Sequence, residues 1–250
     1  MAGSNIPAYN KTAELCTGNV DIYYGETECL AYRYSEMKSV VSEEEWSKAN
    51  RFHNERDRLT YILSHSLLRL ILAKYLNIEP SGIYYEVGLN QKPCLAGNAL
   101  HFNLTHTREA FAFAVSRTCS VGIDLEDIDN SIDIYSISRT YFNQSECDFI
   151  FEADREATDR FFFLWTRKEA LLKALGTGIQ DNLLKVEVCK TKGIINSDLA
   201  INGEHDPVSG VYYLYSRRIG DSFLSLAFPH KTSFIINNLK EDKHLFSILT

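Results

Sequence analysis

"VGIDLEDID", Val121 to Asp129, decides how the rest of the chain is read. Val121, Gly122 and Ile123 lead straight into Asp124, Glu126, Asp127 and Asp129. In a strand, alternate side chains share a face, so Asp124 and Glu126 point one way while Leu125 turns into the core. Two carboxylates about 7 Å apart on one face repel each other, and burial makes that worse. A hard cation such as Mg2+ between them relieves the repulsion. An acidic strand end running into a solvated loop would look the same, and the four letters alone leave both readings open. Asp127 and Asp129 are read as loop residues in either case.

The segments on either side form two halves of similar kind. Before the stretch comes an apolar and aromatic strand at Val20 to Tyr24, then a long helical pattern from about Ser42 to Leu76. Ser42 and Glu45 form a capping-box start, and Leu59, Ile62, Leu63, Leu67, Leu70, Ile71 and Ala73 keep helical spacing. "IYYEVG", "HFNLTHT" and "AFAFAVS" read as strands by alternation and aromatic content. After the stretch, a helix is predicted around Ser136 to Phe142 and a stronger one from Thr158 to Leu175, stopping at Gly176. Phe161, Leu164, Trp165, Leu172 and Leu175 form its apolar stripe. "VEVCK", "VYYLYSRRI", "FLSLAFPH" and "SFIINNL" are strand-like. Helices plus mostly antiparallel strands, twice over, give an α+β class with the divide near Cys119. The expected lobes are 1–118 and 119–250. That boundary places the carboxylates at a seam, where ligand sites often lie.

Composition narrows the function. The chain has 250 residues, is 45% hydrophobic and 24% charged, and carries a net charge of −7. That balance suits a soluble globular protein and argues against non-specific nucleic-acid binding. The six cysteines form no C-x-x-C pair, so neither a zinc site nor a disulfide framework is expected, and free thiols in a reducing cytoplasm are. The first residues lack the pattern of a signal peptide. "LTYILSHSLLRLILAKYLNI" is broken by His65, Arg69 and Lys74, so it reads as an amphipathic helix and not as a membrane span.

Two further stretches carry chemistry. In "FFFLWTRKEALLKALGTGI", Phe161 to Ile179, Glu169 and Lys173 lie four apart on one helical face. They are either an intrahelical salt bridge or a carboxylate and an ammonium serving a site. "NLTHT", Asn103 to Thr107, puts a hydroxyl beside a histidine at a strand end, and "NQKPCL" sets Lys92 on a rigid turn before Pro93. Both suit phosphate oxygens, although lone instances are more often surface residues.

The order of the pieces resembles a known family. A basic helix with "ANRFHNERDRLTYILSHSLLR" precedes "QKP", then "FNLTH", "GIDLE" and "WTRKEALLKALGTGI". This is similar to the 4'-phosphopantetheinyl transferases of the surfactin-synthetase type, from roughly Ser42 to Ile179. The resemblance implies a pseudo-dimer of two α+β lobes with coenzyme A in the cleft between them. It implies transfer of the phosphopantetheine arm of coenzyme A to a serine of an apo acyl or peptidyl carrier protein, with Mg2+, or Mn2+ in its place. Asp124, Glu126 and Glu169 match the metal carboxylates. Lys173 matches the lysine on the diphosphate, and Thr105 and His106 match a serine-histidine pair on the phosphates. Lys92 matches the lysine of a G-K-P turn near the nucleotide, with Gln91 standing where the family has glycine. Lys48, Arg51 and Arg58 lie where the family gathers positive charge for the 3'-phosphate. Thr60 takes a place often held by arginine, and His65 one where another basic residue occurs. Asp124, Glu169 and Lys173 are the expected catalytic group, with Glu169 or a water taking the serine proton. The protein is expected to act as a cytoplasmic monomer, without nucleic acid or membrane. Another Mg2+-dependent phosphotransferase is disfavoured because the sequence has no P-loop or kinase catalytic-loop motif. A non-catalytic binding relative is disfavoured by the intact Asp124, Glu126, Glu169 and Lys173.

Overall fold

A computed structural model describes residues 20–88, 92–152, 154–176, 183–189, 192–195 and 210–240. Gln91 lies outside these residues.

"AFAFAVS" shows how the layers arise. This strand, β5 (Ala110–Ser116), is buried on both faces. Its period of two sends Phe111, Phe113 and Val115 to one side and Ala110, Ala112 and Ala114 to the other. The large side chains meet a long helix and the small ones meet the second half of the chain. β5 sits in a four-stranded sheet ordered β11-β1-β5-β4, with β1 at Val20–Glu26, β4 at His101–His106 and β11 at Phe234–Asn238. The expected strand at "IYYEVG" shortens to β2 (Tyr85–Val87), which pairs among the described residues with β3 (Pro93–Leu95) as a small hairpin.

The helical pattern from Ser42 to Leu76 resolves into two helices. α1 (Thr27–Leu30) and α2 (Tyr34–Met37) are single turns before it. α3 (Glu43–Ala49) begins at the expected capping box, with Ser42 and Glu45 bonding reciprocally. α4 (Glu55–Leu76) restarts at Asn54, whose side chain accepts from the Arg56 amide. It ends at Asn77 in the left-handed conformation, φ 54°. Buried Arg69 donates to Glu45 at 2.8 Å and so ties the two helices together.

The second half builds a five-stranded sheet ordered β6-β10-β9-β8-β7. β6 is Gly122–Asp127, β7 Val186–Glu187, β8 Lys192–Ile195, β9 Gly210–Ile219 and β10 Ser222–Phe228. α5 (Ile134–Tyr141) falls where a helix was expected, while α6 (Gln144–Phe151), capped by Asn143 and Glu146, was not foreseen. α7 (Ala157–Leu175) stops at Gly176, φ 72°, as its sequence indicates. One apolar cluster joins the two sheets, taking Val20, Ile22 and the β5 alanines from one and Ile123, Leu125, Leu224 and Leu226 from the other. α4 and α7 cover the outer faces, giving a helix–sheet–sheet–helix stack, the two-lobed α+β arrangement expected.

One strand crosses the expected boundary. β11, placed with residues 119–250 by the sequence, pairs parallel with β1 in the first sheet, Val20 opposite Phe234 and Tyr24 opposite Asn238. Without it the outer edge of β1 would present unpaired amides and carbonyls.

α7 lies on β6 with almost no gap. A Cβ at Gly122 would sit 1.8 Å from the Ala170 carbonyl oxygen and 2.5 Å from the Ala174 nitrogen, both backbone atoms. Below the helix, Lys168 and Glu146 form a fully buried ion pair at 2.7 Å. Lys168 also donates to the carbonyls of Tyr141 and Leu183, and Glu146 accepts from Val188. Two outcomes are expected from urea unfolding midpoints. Gly122→Ala should destabilise by about 1–3 kcal/mol or more, because backbone must move to admit the methyl group. Lys168→Ala, which strands a buried carboxylate, should cost about 3–5 kcal/mol.

Candidate active site

Asp124 and Glu126 occupy the face of β6 opposite Leu125, as the alternation requires. α7 crosses that face and brings Glu169 and Lys173 to the carboxylates. Lys173 Nζ lies 2.6 Å from Asp124 Oδ1, so the lysine pairs across to the strand, in contrast to the intrahelical Glu169–Lys173 bridge that spacing alone allowed. Thr105 completes the knot from β4. Its hydroxyl lies 3.3 Å from Asp124 Oδ1 and 3.3 Å from Lys173 Nζ, and accepts from the Leu125 amide at 3.2 Å. Asn103, two residues earlier on the same face of β4, accepts from the Ile123 amide at 2.9 Å. The edge of β6 is therefore stitched to the first lobe by side chains in place of a backbone ladder.

Charge in this site is unbalanced. Asp124 is 2% exposed and Glu169 is 8% exposed. Burial pushes Asp124 up from the usual carboxylate range, against the pull of Lys173 and of its hydrogen bonds. Burial, then the charge of Asp124, pushes Glu169 up to about 7. The same two causes, with Glu169 and Asp127 adding, push Glu126 up to about 7 against Lys173. Asp124 Oδ2 and Glu169 Oε1 are buried without a hydrogen-bond partner. A buried oxygen without a donor is costly, and two beside a third carboxylate suit a hard cation with oxygen ligands. Among the described residues, no three His, Cys, Asp or Glu side chains are already placed to hold a metal ion, so these carboxylates would have to close onto one. Asp127 and Asp129 stay outside this group: Asp127 accepts from Ser222 at 2.7 Å, and Asp129 closes a turn onto Ser131.

The other expected residues divide. His106 stands at the exposed end of β4; loss of solvation, then the charges of His65, Lys173 and Lys48, lower its imidazole against Asp57. These four side chains are therefore close enough to act on one another. His65 stacks on Tyr61 with centroids 3.9 Å apart, and Lys48 lies over the same ring at 5.5 Å. Arg51 is exposed just beyond α3, and Arg58 pairs with Glu55 at 3.6 Å. Thr60 is buried against Thr27 at 2.8 Å. Lys92 is turned inward, onto the carbonyls of Lys173 at 2.5 Å and Val121 at 3.4 Å. Sequence reasoning assigned no role to Asn103 or Ser120. Asn103 had a signal, since the alternation of "FNLTH" puts it on one face with Thr105.

Comparison with known proteins accords with this geometry. Residues 29–121 match the model of the 4'-phosphopantetheinyl transferase N-terminal region, and residues 120–209 match that of the 4'-phosphopantetheinyl transferase superfamily. The 4'-phosphopantetheinyl transferase HetI of Nostoc sp. is 33% identical over 161 residues, covering 62% of this chain and 68% of HetI. The chain belongs to the 4'-phosphopantetheinyl transferase family. Two further transferases, gsp of Aneurinibacillus migulanus at 33% identity and Sfp of Bacillus subtilis at 27%, align over 59% and 62% of their own lengths. The junction of the two family matches, near residue 120, immediately precedes β6. No described helix is long and apolar enough to cross a membrane.

The raised carboxyls set a pH dependence for this transferase without added metal. Glu126 and Glu169 titrate near 7 when folded and near their ordinary 4.5 when unfolded. Between those values the folded chain holds more protons, so stability falls as pH rises from about 4.5 to about 7. Glu169→Gln removes one of the two groups. Its melting temperature should therefore decline less over that range than that of the unaltered protein, as read from melting curves in a chelating buffer. An unchanged slope would show that Glu169 is not held in a like-charged cluster.

Proposed function

We propose that this protein transfers the 4'-phosphopantetheine arm of coenzyme A to a serine of an apo acyl or peptidyl carrier protein, releasing 3',5'-ADP. The observation that carries this reading is the meeting of Lys173, Asp124 and Thr105 at the lobe seam, with Glu126 and Glu169 beside them and Lys48, His65 and His106 grouped nearby. The residues fit a divalent cation, which Asp124, Glu126 and Glu169 would hold. When bound, Mg2+ would supply neutralising charge to the diphosphate.

The protein's own residues account for the remaining chemistry. The carrier serine Oγ attacks the β-phosphorus, the bond from that phosphorus to the bridging oxygen breaks, and its electron pair leaves with 3',5'-ADP. A serine hydroxyl is a weak nucleophile and needs a positioned base. Glu169 has an unpartnered Oε1 in the site and takes the proton there. Lys173, whose side chain is 30% exposed and whose ammonium lies on Asp124, is placed to meet charge growing on the leaving group. Asp124 and Thr105 hold that ammonium in place. At the exposed end of β4, Lys48 offers the phosphates positive charge, and the His106 and His65 imidazoles beside it offer ring nitrogens for hydrogen bonds. Lobes at 1–118 and 119–250 remain the working division for function, with β11 returning to the first sheet.

The deciding assay incubates the purified chain with coenzyme A, Mg2+ and an apo carrier, and follows the carrier's mass. Gain of one phosphopantetheine arm on the serine is expected. Coenzyme A binding without any gain, across acyl and peptidyl carriers, would point to a binding-only protein. Lys173→Ala should lower turnover by about 30- to 1000-fold, equivalent to ~2–4 kcal/mol of transition-state stabilisation, while melting within a few degrees of the parent. Near-parental turnover would remove Lys173 from the chemistry.

A further inference from the structure

Lys92 raises a question that the family resemblance does not answer. Its ammonium is largely withdrawn from water, which pushes its pKa down to about 8. A buried ammonium usually has a carboxylate beside it. Here the hydrogen-bond partners are two backbone carbonyls, of Lys173 at 2.5 Å and Val121 at 3.4 Å. Both belong to the second lobe, whereas Lys92 opens the β3 arm of the first lobe's hairpin, where its own carbonyl accepts from the Gly88 amide at 2.8 Å.

The last turn of a helix leaves its final carbonyls unsatisfied and carries partial negative charge. In α7 three of those groups have partners among the described residues. The Leu172 carbonyl receives the Gly176 amide, the Lys173 carbonyl receives Lys92, and the Ala174 carbonyl receives the Ser120 hydroxyl at 2.5 Å. The lysine stem passes beside Gly176, where a Cβ would lie at an ordinary contact distance of 3.6 Å from Lys92 Cδ. Through one ammonium, the first lobe thus grips the residue that carries the Lys173 side chain and the residue that leads into Gly122 and Asp124.

We propose that Lys92 is a positioning residue, a clasp from the first lobe that sets the register of α7 on β6 and so aims Lys173 at Asp124 and the diphosphate. It acts through Lys173 and has no direct contact with the nucleotide. The inference rests on the transferase reading above and changes the role that the family resemblance gives this lysine. A misplacement of about 1 Å in a positioned group can cost on the order of 100-fold in rate, so a clasp of this kind has a kinetic signature.

The test compares the unaltered chain with Lys92→Met and Lys92→Arg by three readouts: kcat and KM for coenzyme A with carrier saturating, the Kd of 3',5'-ADP by calorimetry, and hydrogen exchange of the amides from Lys173 to Gly176. For Lys92→Met, a kcat lower by about 10- to 100-fold is expected, with ADP affinity within about threefold and faster exchange in the last turn of α7. Lys92→Arg, which keeps the charge, should restore most of kcat and slow the exchange again. Loss of ADP affinity by tenfold or more with kcat retained would overturn the proposal in favour of a nucleotide contact. Unchanged exchange in Lys92→Met would overturn it as well. If Lys92→Met does not fold, Lys92→Gln carries the same comparison with a neutral donor. An inactive unaltered chain would defeat the transferase reading alone, because the ADP affinity and the exchange still report whether Lys92 holds the helix or the nucleotide.

Discussion

The missing side chain at Gly122 is the constraint on which the site depends. With no Cβ there, the backbone of α7 settles directly onto β6, and at that separation a lysine on the helix meets a carboxylate on the strand at 2.6 Å. Close approach of a helix to a strand aligns two rigid elements at once. Asp124 and Lys173 therefore need no flexible loop to find each other, and catalytic groups on rigid elements are held more exactly than groups on loops. The buried pair of Lys168 and Glu146 and the bond between Thr166 and Ser225 at 2.7 Å fix the same helix from below.

Electrostatic repulsion is the counterpart of this precision. Three carboxylates are gathered where, among the described residues, one lysine answers them and two of their oxygens lack donors. Such a cluster lowers the stability of the empty fold and raises its appetite for positive charge. The apolar cluster between the sheets, together with Asn103 and Thr105, holds the arrangement closed against that repulsion. Function and stability are opposed at this seam, as is common where charges are placed for chemistry.

Much of this was legible in the sequence where the signal is periodic or chemically marked. The alternation of "AFAFAVS" and "GIDLE" places strands and their faces, and the capping box at Ser42 and the glycine at 176 mark helix ends as observed. Asp124, Glu126, Glu169 and Lys173 could be singled out by strand alternation and helical spacing, and the order of the motifs gave them their expected roles. What failed were features that depend on partners far away in sequence. The break at Asn50–Asn54 was hidden because neighbouring residues keep helical spacing on both sides of it. α6 was missed because Gln144–Phe151 is short and its cap, Asn143 and Glu146, looks like an acidic loop until Lys168 is seen beneath it. The bonds of Lys92 to the Lys173 carbonyl and of Thr105 to Asp124 were not visible either, because no local pattern records three-dimensional neighbours.

The return of β11 to the side of β1 has a consequence for how the molecule is made. β1 is the first described strand and β11 the last, and they lie next to each other in one parallel pairing. Parallel pairs between distant segments are slow to form, because the entropy of closing the loop must be met before contacts reward it. During synthesis from the amino end, the first lobe must wait with one edge of its sheet open until the second has emerged. The lobe made first is in this sense the lobe completed last, and its exposed edge through that interval is where a nascent chain of this kind is most open to pairing with the wrong strand.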